Sequence, residues 1–212
     1  MRLLYLLFSG KFFGSTFFAK KVEKTKENLT MKLIIASDIH GGAECCRALL
    51  EAAEREGADK ILLLGDILYH GPRNDLPEDY APKKVIEMLN GVKDKLICVR
   101  GNCESEVDQM VLDFPVMSDT AIVYDGESDL TIFMSHGHKF SPENLPPLSA
   151  RTVFLYGHTH VKKIEKVGEI VCLNPGSVTL PKMDNPKTYA TYERGKFEIK
   201  TLDGAFLDTF SV

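Results

Sequence analysis

From residue 31 onward, short hydrophobic runs alternate with segments in which hydrophobic positions recur every three or four residues. Short runs rich in Ile, Leu and Val are typical of buried strands, and the three-to-four-residue period is typical of helices. The alternation predicts a layered α/β domain. The predicted strands are residues 32–37, 60–65, 95–100, 130–135, 152–157, 169–174, 188–193 and 196–202, and the predicted helices are residues 43–56 and 81–92.

Two long segments show neither pattern and are rich in Pro, Asn and Asp, namely residues 69–80 and 138–149. Loops of this length in a layered domain often line a binding site. We therefore expect these two loops to flank whatever site the domain carries.

The first thirty residues differ in composition from the rest of the chain. Their hydrophobic runs are interrupted by Lys11 and do not approach the ~18 residues that a membrane span needs. No Ala-x-Ala cleavage site of a signal peptide follows them. We expect residues 1–30 to be an N-terminal extension outside the folded domain, with Met31 as an alternative start, and residues 31–212 to form a single domain.

Charge and cysteine content narrow the function classes. The chain has a net charge of −4, and because residues 1–30 contribute +4, residues 31–212 carry −8. An acidic body offers no basic field for a nucleic acid. The five cysteines are an odd number without a Cys-x-x-Cys pair, which favours a reducing, cytoplasmic setting. We expect neither a nucleic-acid partner nor a membrane partner.

Side chains of the metal-ligand type follow five of the predicted strands. In an open α/β sheet, the carboxyl ends of the strands gather at one edge, where ligands bind. The spacing of two in Asp38/His40 and in His158/His160 would direct each pair to one face of an extended segment. The donors expected to converge are Asp38, His40, Asp66, Asn102, His136, His158 and His160.

Each of these residues alone has an ordinary structural explanation. Asp38 suits a helix N-cap, Asp66 and Asn102 suit turns beside glycine, and a histidine can be satisfied by backbone groups. Caps and turns do not explain why five strands end in this way. Seven donors exceed what one ion takes from a protein, so two ions that share the Asp66 carboxylate are expected. Carboxylate, amide and imidazole donors suit manganese, iron or zinc better than calcium or copper(I).

The ordered motifs Ser-Asp-Ile-His-Gly, Gly-Asp, Gly-Asn-Cys, His-Gly-His and Gly-His-Thr-His resemble the calcineurin-like metallophosphoesterase family over residues 31 to about 185. More narrowly, the chain resembles the bacterial YfcE-type phosphodiesterases. The resemblance implies a four-layer α/β/β/α fold, in which two mixed sheets face each other with helices outside. It also implies hydrolysis of a small-molecule phosphate ester, in particular a phosphodiester with a good leaving group, by a metal-bridging hydroxide.

The resemblance also assigns the seven donors to two divalent transition metals, with manganese expected and zinc, iron or nickel as alternatives. One ion is assigned Asp38, His40, Asp66 and His160, and the other is assigned Asp66, Asn102, His136 and His158. Asn102 and His136 also count as catalytic residues in this assignment.

Cys103 stands where many phosphatases of this family have a histidine that protonates the leaving alkoxide. A thiol is a weak proton donor at neutral pH, so Cys103 is interpreted mainly as a small space-filling residue. His70, His138 and Arg100 are further candidates for contacts with the substrate or around the metals. A solvated loop histidine and a surface salt bridge are the ordinary alternatives for His70 and Arg100.

Two other functions are compatible with the same fold. Some relatives of this fold, such as a retromer subunit, bind proteins after their ligand positions have changed, and other members of the superfamily are nucleases. The complete set of ligand types favours hydrolysis over a scaffold, and the acidic body disfavours a nuclease.

Overall fold

Two β-sheets that pack face to face form the centre of the protein in a computed structural model, which describes residues 30–212. The predicted N-terminal extension lies outside the described residues, except for Thr30. Among the described residues, no helix has both the length and the apolar character needed to cross a membrane.

The first sheet has a parallel half and an antiparallel half. Three parallel strands lie side by side, and the last three strands of the chain extend the sheet in antiparallel fashion from the first. The strands are β1 Lys32–Ala36, β2 Lys60–Leu63, β3 Leu96–Cys98, β9 Thr188–Glu193, β10 Lys196–Thr201 and β11 Phe206–Ser211. Their order across the sheet is β11-β10-β9-β1-β2-β3.

The second sheet is also mixed. Its three central strands are parallel, and an antiparallel strand closes each edge. The strands are β4 Thr120–Asp125, β5 Leu130–Ser135, β6 Thr152–Leu155, β7 Lys163–Val167 and β8 Ile170–Asn174, in the order β4-β5-β6-β8-β7. The helices are α1 Ala43–Glu56, α2 Pro82–Gly91, a 3₁₀ turn at Lys93–Lys95, and α3 Glu106–Val111.

Three clusters of buried hydrophobic residues pack between the layers. The cluster between the sheets includes Ile35, Leu62 and Leu155, while α1 and α2 cover the outer face of the first sheet with Leu49 and Leu89. Burial of these faces is the main source of stability and fixes the strand ends of both sheets at one edge. The expected layered α/β architecture with two mixed sheets is confirmed. One local detail differs, since the loop at residues 138–149, rather than a helix, packs on the outer face of the second sheet.

Every predicted strand and helix is present, and its ends differ from the prediction by at most two residues. The pattern missed β4, β7, β11 and α3. The three missed strands are all at sheet edges, where exposed positions and charged side chains weaken the hydrophobic signal. The missed helix has six residues, which is too short to show helical periodicity.

Candidate metal centre

The backbone at the ends of the central strands adopts a left-handed conformation at most of the predicted donors. Positive φ angles of 59°, 47° and 55° occur at Asp38, His40 and Asp66, and of 66° and 62° at His158 and His160. The predicted extended geometry for the two pairs spaced by two residues is therefore wrong, although the side chains do converge. Left-handed backbone at non-glycine residues is uncommon and concentrates at functional sites.

Hydrogen bonds between neighbouring strand ends hold these turns. The N–H of Asp38 donates to the carbonyl of Gly65 at 3.1 Å, and the N–H of His40 donates to that of Asp66 at 2.9 Å. In the second sheet, the N–H of Gly157 donates to the carbonyl of His136 at 2.7 Å. The backbone thus fixes the donor-bearing turns relative to one another before any ion binds.

A first cluster contains Asp38, His40 and His160, which are all buried. Nε2 of His160 lies 3.3 Å from Oδ1 of Asp38, and Nε2 of His40 lies 3.6 Å from the same oxygen. The two Nε2 atoms are 3.2 Å apart. Oδ1 of Asp38 accepts no hydrogen bond from the described part of the chain, so a buried carboxylate oxygen points into this cluster unsatisfied.

A second cluster contains Asp66, Asn102 and His136. Nε2 of His136 lies 3.4 Å from Oδ2 of Asp66 and 3.1 Å from the amide oxygen of Asn102. Oδ2 of Asp66 is also 3.6 Å from Nε2 of His40 in the first cluster. One carboxylate oxygen therefore faces donors of both clusters.

His158 lies at the rim of the second cluster. Its ring centroid is 5.1 Å from that of His136, and its backbone N–H donates to Oδ2 of Asp38 at 3.1 Å. The ring is only half-buried, and burial together with the neighbouring His136 lowers its pKa. A neutral imidazole at the opening is in the protonation state that a metal ligand requires.

The three buried imidazoles share one hydrogen-bonding pattern. Nδ1 of His40, His136 and His160 faces the carbonyls of Tyr69, Leu64 and Leu180 at 2.7, 2.7 and 2.6 Å. Because a carbonyl only accepts, each Nδ1 carries a proton, and in the neutral ring the lone pair is on Nε2, which points into the site. Neutral His40 and His160 would thus face each other with two lone pairs, an arrangement that only a cation stabilises. The residues fit a divalent metal.

The buried carboxylates and imidazoles of the two clusters shift one another's pKa values. Burial opposes protonation of His136, but hydrogen bonding to Asp66 and the charges of Asp38 and Asp66 raise its pKa to about 9. Burial likewise opposes protonation of His40, yet Asp38 raises its pKa. Burial would raise the pKa of Asp38, but its histidine neighbours hold it well below its ordinary value. The site is therefore built around ionised carboxylates that need a positive partner.

Cys103 lies beside the second cluster and is half-buried. Its backbone N–H donates to Oδ1 of Asp66 at 2.9 Å, and its Sγ accepts from Nδ2 of Asn102 at 3.3 Å. Burial raises the pKa of the thiol, and the carboxylate of Asp66 raises it further. The backbone of Cys103 thus helps orient Asp66, while its thiol stays protonated.

The remaining predicted residues lie around the clusters. His138 is exposed, with its ring centroid 5.4 Å from that of His136. His70 packs edge-on between Tyr69 and Tyr80, with centroids 4.7 and 5.5 Å away. Nη2 of Arg100 donates to the carbonyl of Glu104 at 3.2 Å. Substrate contacts by these three residues stay predictions.

Three buried residues support the site and were missed as functional residues from the sequence. The carboxylate of Glu104 accepts hydrogen bonds from the N–H groups of Asp66, Ile67 and Gly101. Oγ of Ser177 donates to the carbonyl of Asp38 at 2.8 Å, and Nδ2 of Asn174 donates to that of Gly157 at 2.8 Å.

The sequence contained a hint of the supporting roles of Asn174 and Ser177 but not of that of Glu104. The segment Asn-Pro-Gly-Ser-Val at 174–178 is more than the turn that its composition indicates, because its polar side chains brace two donor turns. Glu104 gave no comparable signal, since a glutamate after a turn is usually solvated. Its burial follows only from the three-dimensional placement of the turn at residues 101–104.

A cavity of about 350 Å³ opens onto the clusters. Arg73 and Lys182 contribute two cationic side chains to its wall, beside Asn74 and Thr159. The sequence did not identify these four residues. A positive rim around a buried acidic centre suits an anionic substrate that approaches the ions.

Comparisons with known proteins agree with this geometry. The calcineurin-like phosphoesterase superfamily domain matches residues 31–196. The chain is 49% identical to phosphodiesterase YfcE of Escherichia coli over 173 residues, which are 82% of this chain and 93% of that protein. It is 26% identical to phosphodiesterase MJ0936 of Methanocaldococcus jannaschii over 151 residues, covering 69% of this chain and 83% of that one.

Solved structures give the same relationship. The E. coli phosphoesterase Yfce superposes with a TM-score of 0.82 at 46% identity, and the match covers 86% of this chain and 100% of that chain. Vacuolar protein sorting 29 from Cryptosporidium parvum shares the fold with a TM-score of 0.57 at 18% identity, covering 86% of this chain and 99% of that one. By sequence match and by fold, the chain belongs to the calcineurin-like phosphoesterase superfamily.

Proposed function

We propose that the protein hydrolyses phosphodiesters at a centre of two divalent metals that share Asp66. The observation that carries the proposal is the position of Asp66 Oδ2, which lies 3.6 Å from His40 Nε2 and 3.4 Å from His136 Nε2. A carboxylate between two groups of nitrogen donors is the arrangement expected of a bridging ligand. The 49% identity to an E. coli phosphodiesterase supports the diester as the substrate class.

We assign the donors to the two ions as the family resemblance implies, and the grouping of Asp38, His40 and His160 supports the first set. Asp38, His40 and His160 would hold one ion together with Asp66. Asp66, Asn102, His136 and His158 would hold the other. Two divalent ions held there would supply a water with a pKa lowered toward about 7 and positive charge for the phosphoryl oxygens. Position 103 holds a cysteine where many phosphatases of this family have a histidine, and a thiol is a poor proton donor to the leaving group. Esters with good leaving groups are therefore favoured.

The protein contributes orientation and charge. The carbonyls of Tyr69, Leu64 and Leu180 lock three imidazoles with Nε2 inward, which removes the entropic cost of ordering them on binding. Arg73 and Lys182 at the cavity wall would attract the substrate anion into an otherwise acidic region. Asn102 adds a neutral oxygen donor, which limits the total negative charge around the ions.

We propose manganese as the ion in the cell, with zinc, iron or nickel as alternatives. The donors are oxygen and imidazole nitrogen, a set that suits manganese and does not need thiolate. We also propose a cytoplasmic location, because all five cysteines are free. A protein-binding scaffold is less well supported, because the 18% identity to the sorting protein shows a common fold only. A scaffold function also gives no reason for an inward-facing set of donors.

Metal removal tests the proposal. Protein stripped with a chelator should lose activity toward bis(4-nitrophenyl) phosphate, and manganese should restore it with about two ions per chain by elemental analysis. Asp66→Asn should lower kcat/KM by more than about 100-fold, the upper end for outer-shell partners of a metal, and should reduce metal content. Full activity in metal-free protein would refute the proposal.

A matched control separates the metal effect from backbone strain. Asp129 also has a positive φ, of 49°, and its side chain is 70% exposed. Asp129→Asn makes the same chemical change at the same type of backbone position, so it should leave activity and metal content unchanged. Equal losses in both variants would assign the effect to folding rather than to the ions.

A further inference from the structure

A groove with a volume of about 810 Å³ adjoins the metal centre between the loop at residues 68–82 and α3. The residues that line it are mainly apolar or aromatic, and several of them are unusually exposed to solvent for their residue type. Val107 is 64% exposed, Tyr69 is 42% exposed and Val111 is 39% exposed. Ile86 and Pro82 of α2 complete the apolar wall. Apolar residues left exposed together in a groove indicate a binding surface.

The groove and the cavity at the metal centre share four lining residues. Asn102 and Cys103 line both this groove and the 350 Å³ cavity that opens onto the metal ligands. Pro72 and Arg73 also line both. The groove is therefore next to the cavity in which the phosphate of a substrate would lie, within reach of an ester group of the same molecule.

The two carboxylates that line the groove are engaged within the protein. Oδ2 of Asp108 accepts hydrogen bonds from the N–H and the hydroxyl of Ser105 at 2.7 and 3.1 Å. The carboxylate of Glu104 is occupied by three backbone N–H groups. The groove therefore offers apolar contact and few free carboxylate acceptors that could read the edge of a nucleobase.

We propose that this groove is the subsite for an aryl, or similarly flat and apolar, ester group of the substrate. The proposal rests on the proposed function, because the phosphate of the same molecule must lie at the metal centre. It names Tyr69, Val107 and Val111 as specificity-determining residues, none of which is assigned to the metals. The substrate class is then an aryl phosphodiester rather than a phosphodiester whose two ester groups are both small and polar.

Binding of two phosphonates tests the subsite without turnover. At a pH above the second pKa of both compounds, methylphosphonate and phenylphosphonate present the same dianion to the metals and differ only in the group attached to phosphorus. Isothermal titration of the manganese-loaded full chain should show phenylphosphonate binding about tenfold or more tightly, from the apolar area that the ring buries. Val107→Ser/Val111→Ser should reduce that preference at least about threefold and leave methylphosphonate binding unchanged.

Met110→Ser is the matched control. Met110 lies on the same short helix and is 82% exposed, but it does not line the groove. This variant should retain the full preference for phenylphosphonate. If the double variant melts below the parent protein, the single Val107→Ser change, at a residue 64% exposed, replaces it.

The outcomes separate the two proposals. If neither phosphonate binds in a manganese-dependent way, the metal centre itself is refuted. Metal-dependent binding of both with equal affinity would refute the aryl subsite while leaving the metal centre intact. A preference for the phenyl arm that survives Val107→Ser/Val111→Ser would place the ring elsewhere and would also overturn this assignment.

Discussion

The carboxylate of Glu104 accepts a hydrogen bond from the backbone N–H of Asp66, with 3.0 Å between Oε2 and N. The same carboxylate accepts from the N–H of Ile67 at 2.7 Å and from that of Gly101. Glu104 is only 4% exposed, so these three donors have no access to water as a substitute. A buried side chain thus fixes the left-handed turn that presents the proposed bridging ligand.

Replacing this carboxylate should destabilise the protein even when the shape is preserved. Both oxygens of Glu104 accept from backbone N–H groups, so Glu104→Gln must place an amide N–H₂ against one or more donors in either orientation. We expect a loss of about 2–4 kcal/mol in the free energy of unfolding, measured by urea denaturation of metal-free protein. Glu106→Gln, at an exposed glutamate two residues away, should change it little. Equal stability of Glu104→Gln and the parent would contradict this role.

Gly157 permits a close approach between the two sheets. A Cβ at this position would lie 2.9 Å from Oδ2 of Asp38 and would overlap Oγ of Ser37. Gly157→Ala should therefore displace Asp38, cost about 1–3 kcal/mol of stability and lower metal retention. Melting temperature and elemental analysis measure both effects.

A second glycine gives the control for this substitution. A Cβ at Gly91, the last residue of α2, would meet no atom within 4 Å. Gly91→Ala should keep the metal content and leave the stability equal or slightly higher, because alanine favours the helical conformation. Normal metal retention in Gly157→Ala would show that Asp38 tolerates the shift.

The pair Tyr192 and Asp125 should make stability depend on pH. Burial would raise the pKa of Asp125, but the hydrogen bond from the buried Tyr192 hydroxyl holds it below its ordinary value of 3.8. A lowered carboxyl pKa contributes stability that is present above the ordinary value and is lost as pH falls through the lowered one. Tyr192→Phe should cost about 1–3 kcal/mol at pH near 7 and less below pH of about 4.

Urea denaturation of both proteins at each pH measures the difference. Tyr124 provides the control, because its hydroxyl donates to Asp129 at 2.8 Å but the residue is 60% exposed. Tyr124→Phe should be close to neutral at both pH values, since water replaces the lost partner. A cost for Tyr192→Phe that does not shrink in acid would exclude Asp125 as the cause.

The hydrophobic pattern predicted the central strands because those strands are buried on both faces, as in β6, where all four residues are buried. The donor residue types at the strand ends predicted that these side chains would lie close together, because sheet topology brings strand ends together. The left-handed backbone at His40 and His158 was not predictable from spacing, since it depends on hydrogen bonds between neighbouring turns. The roles of Glu104 and Arg73 depend on contacts across the fold and left no periodic signal.

The thiol at position 103 should limit which esters are hydrolysed. An alkoxide leaving group must be protonated as its bond to phosphorus breaks, whereas a nitrophenolate departs without a proton. Cys103 faces the same cavity as Asp66, Asn102 and the proposed ligands His158 and His160, and its thiol is held protonated by burial and by Asp66, so it is a poor acid. We expect rates that rise steeply with the acidity of the leaving group.

Cys103→His should supply the missing acid. The residue lines the cavity of about 350 Å³ and the groove of about 810 Å³, so the side chain at this position faces open space that an imidazole can enter. The rate for poor leaving groups should rise by up to about 100-fold, the low end for a positioned general acid, with little change for nitrophenyl esters. The measurement is the slope of log kcat/KM against leaving-group pKa, which should flatten in Cys103→His. Cys103→Ser should keep the parent slope and rate, and equal slopes in all three proteins would exclude position 103 from proton transfer.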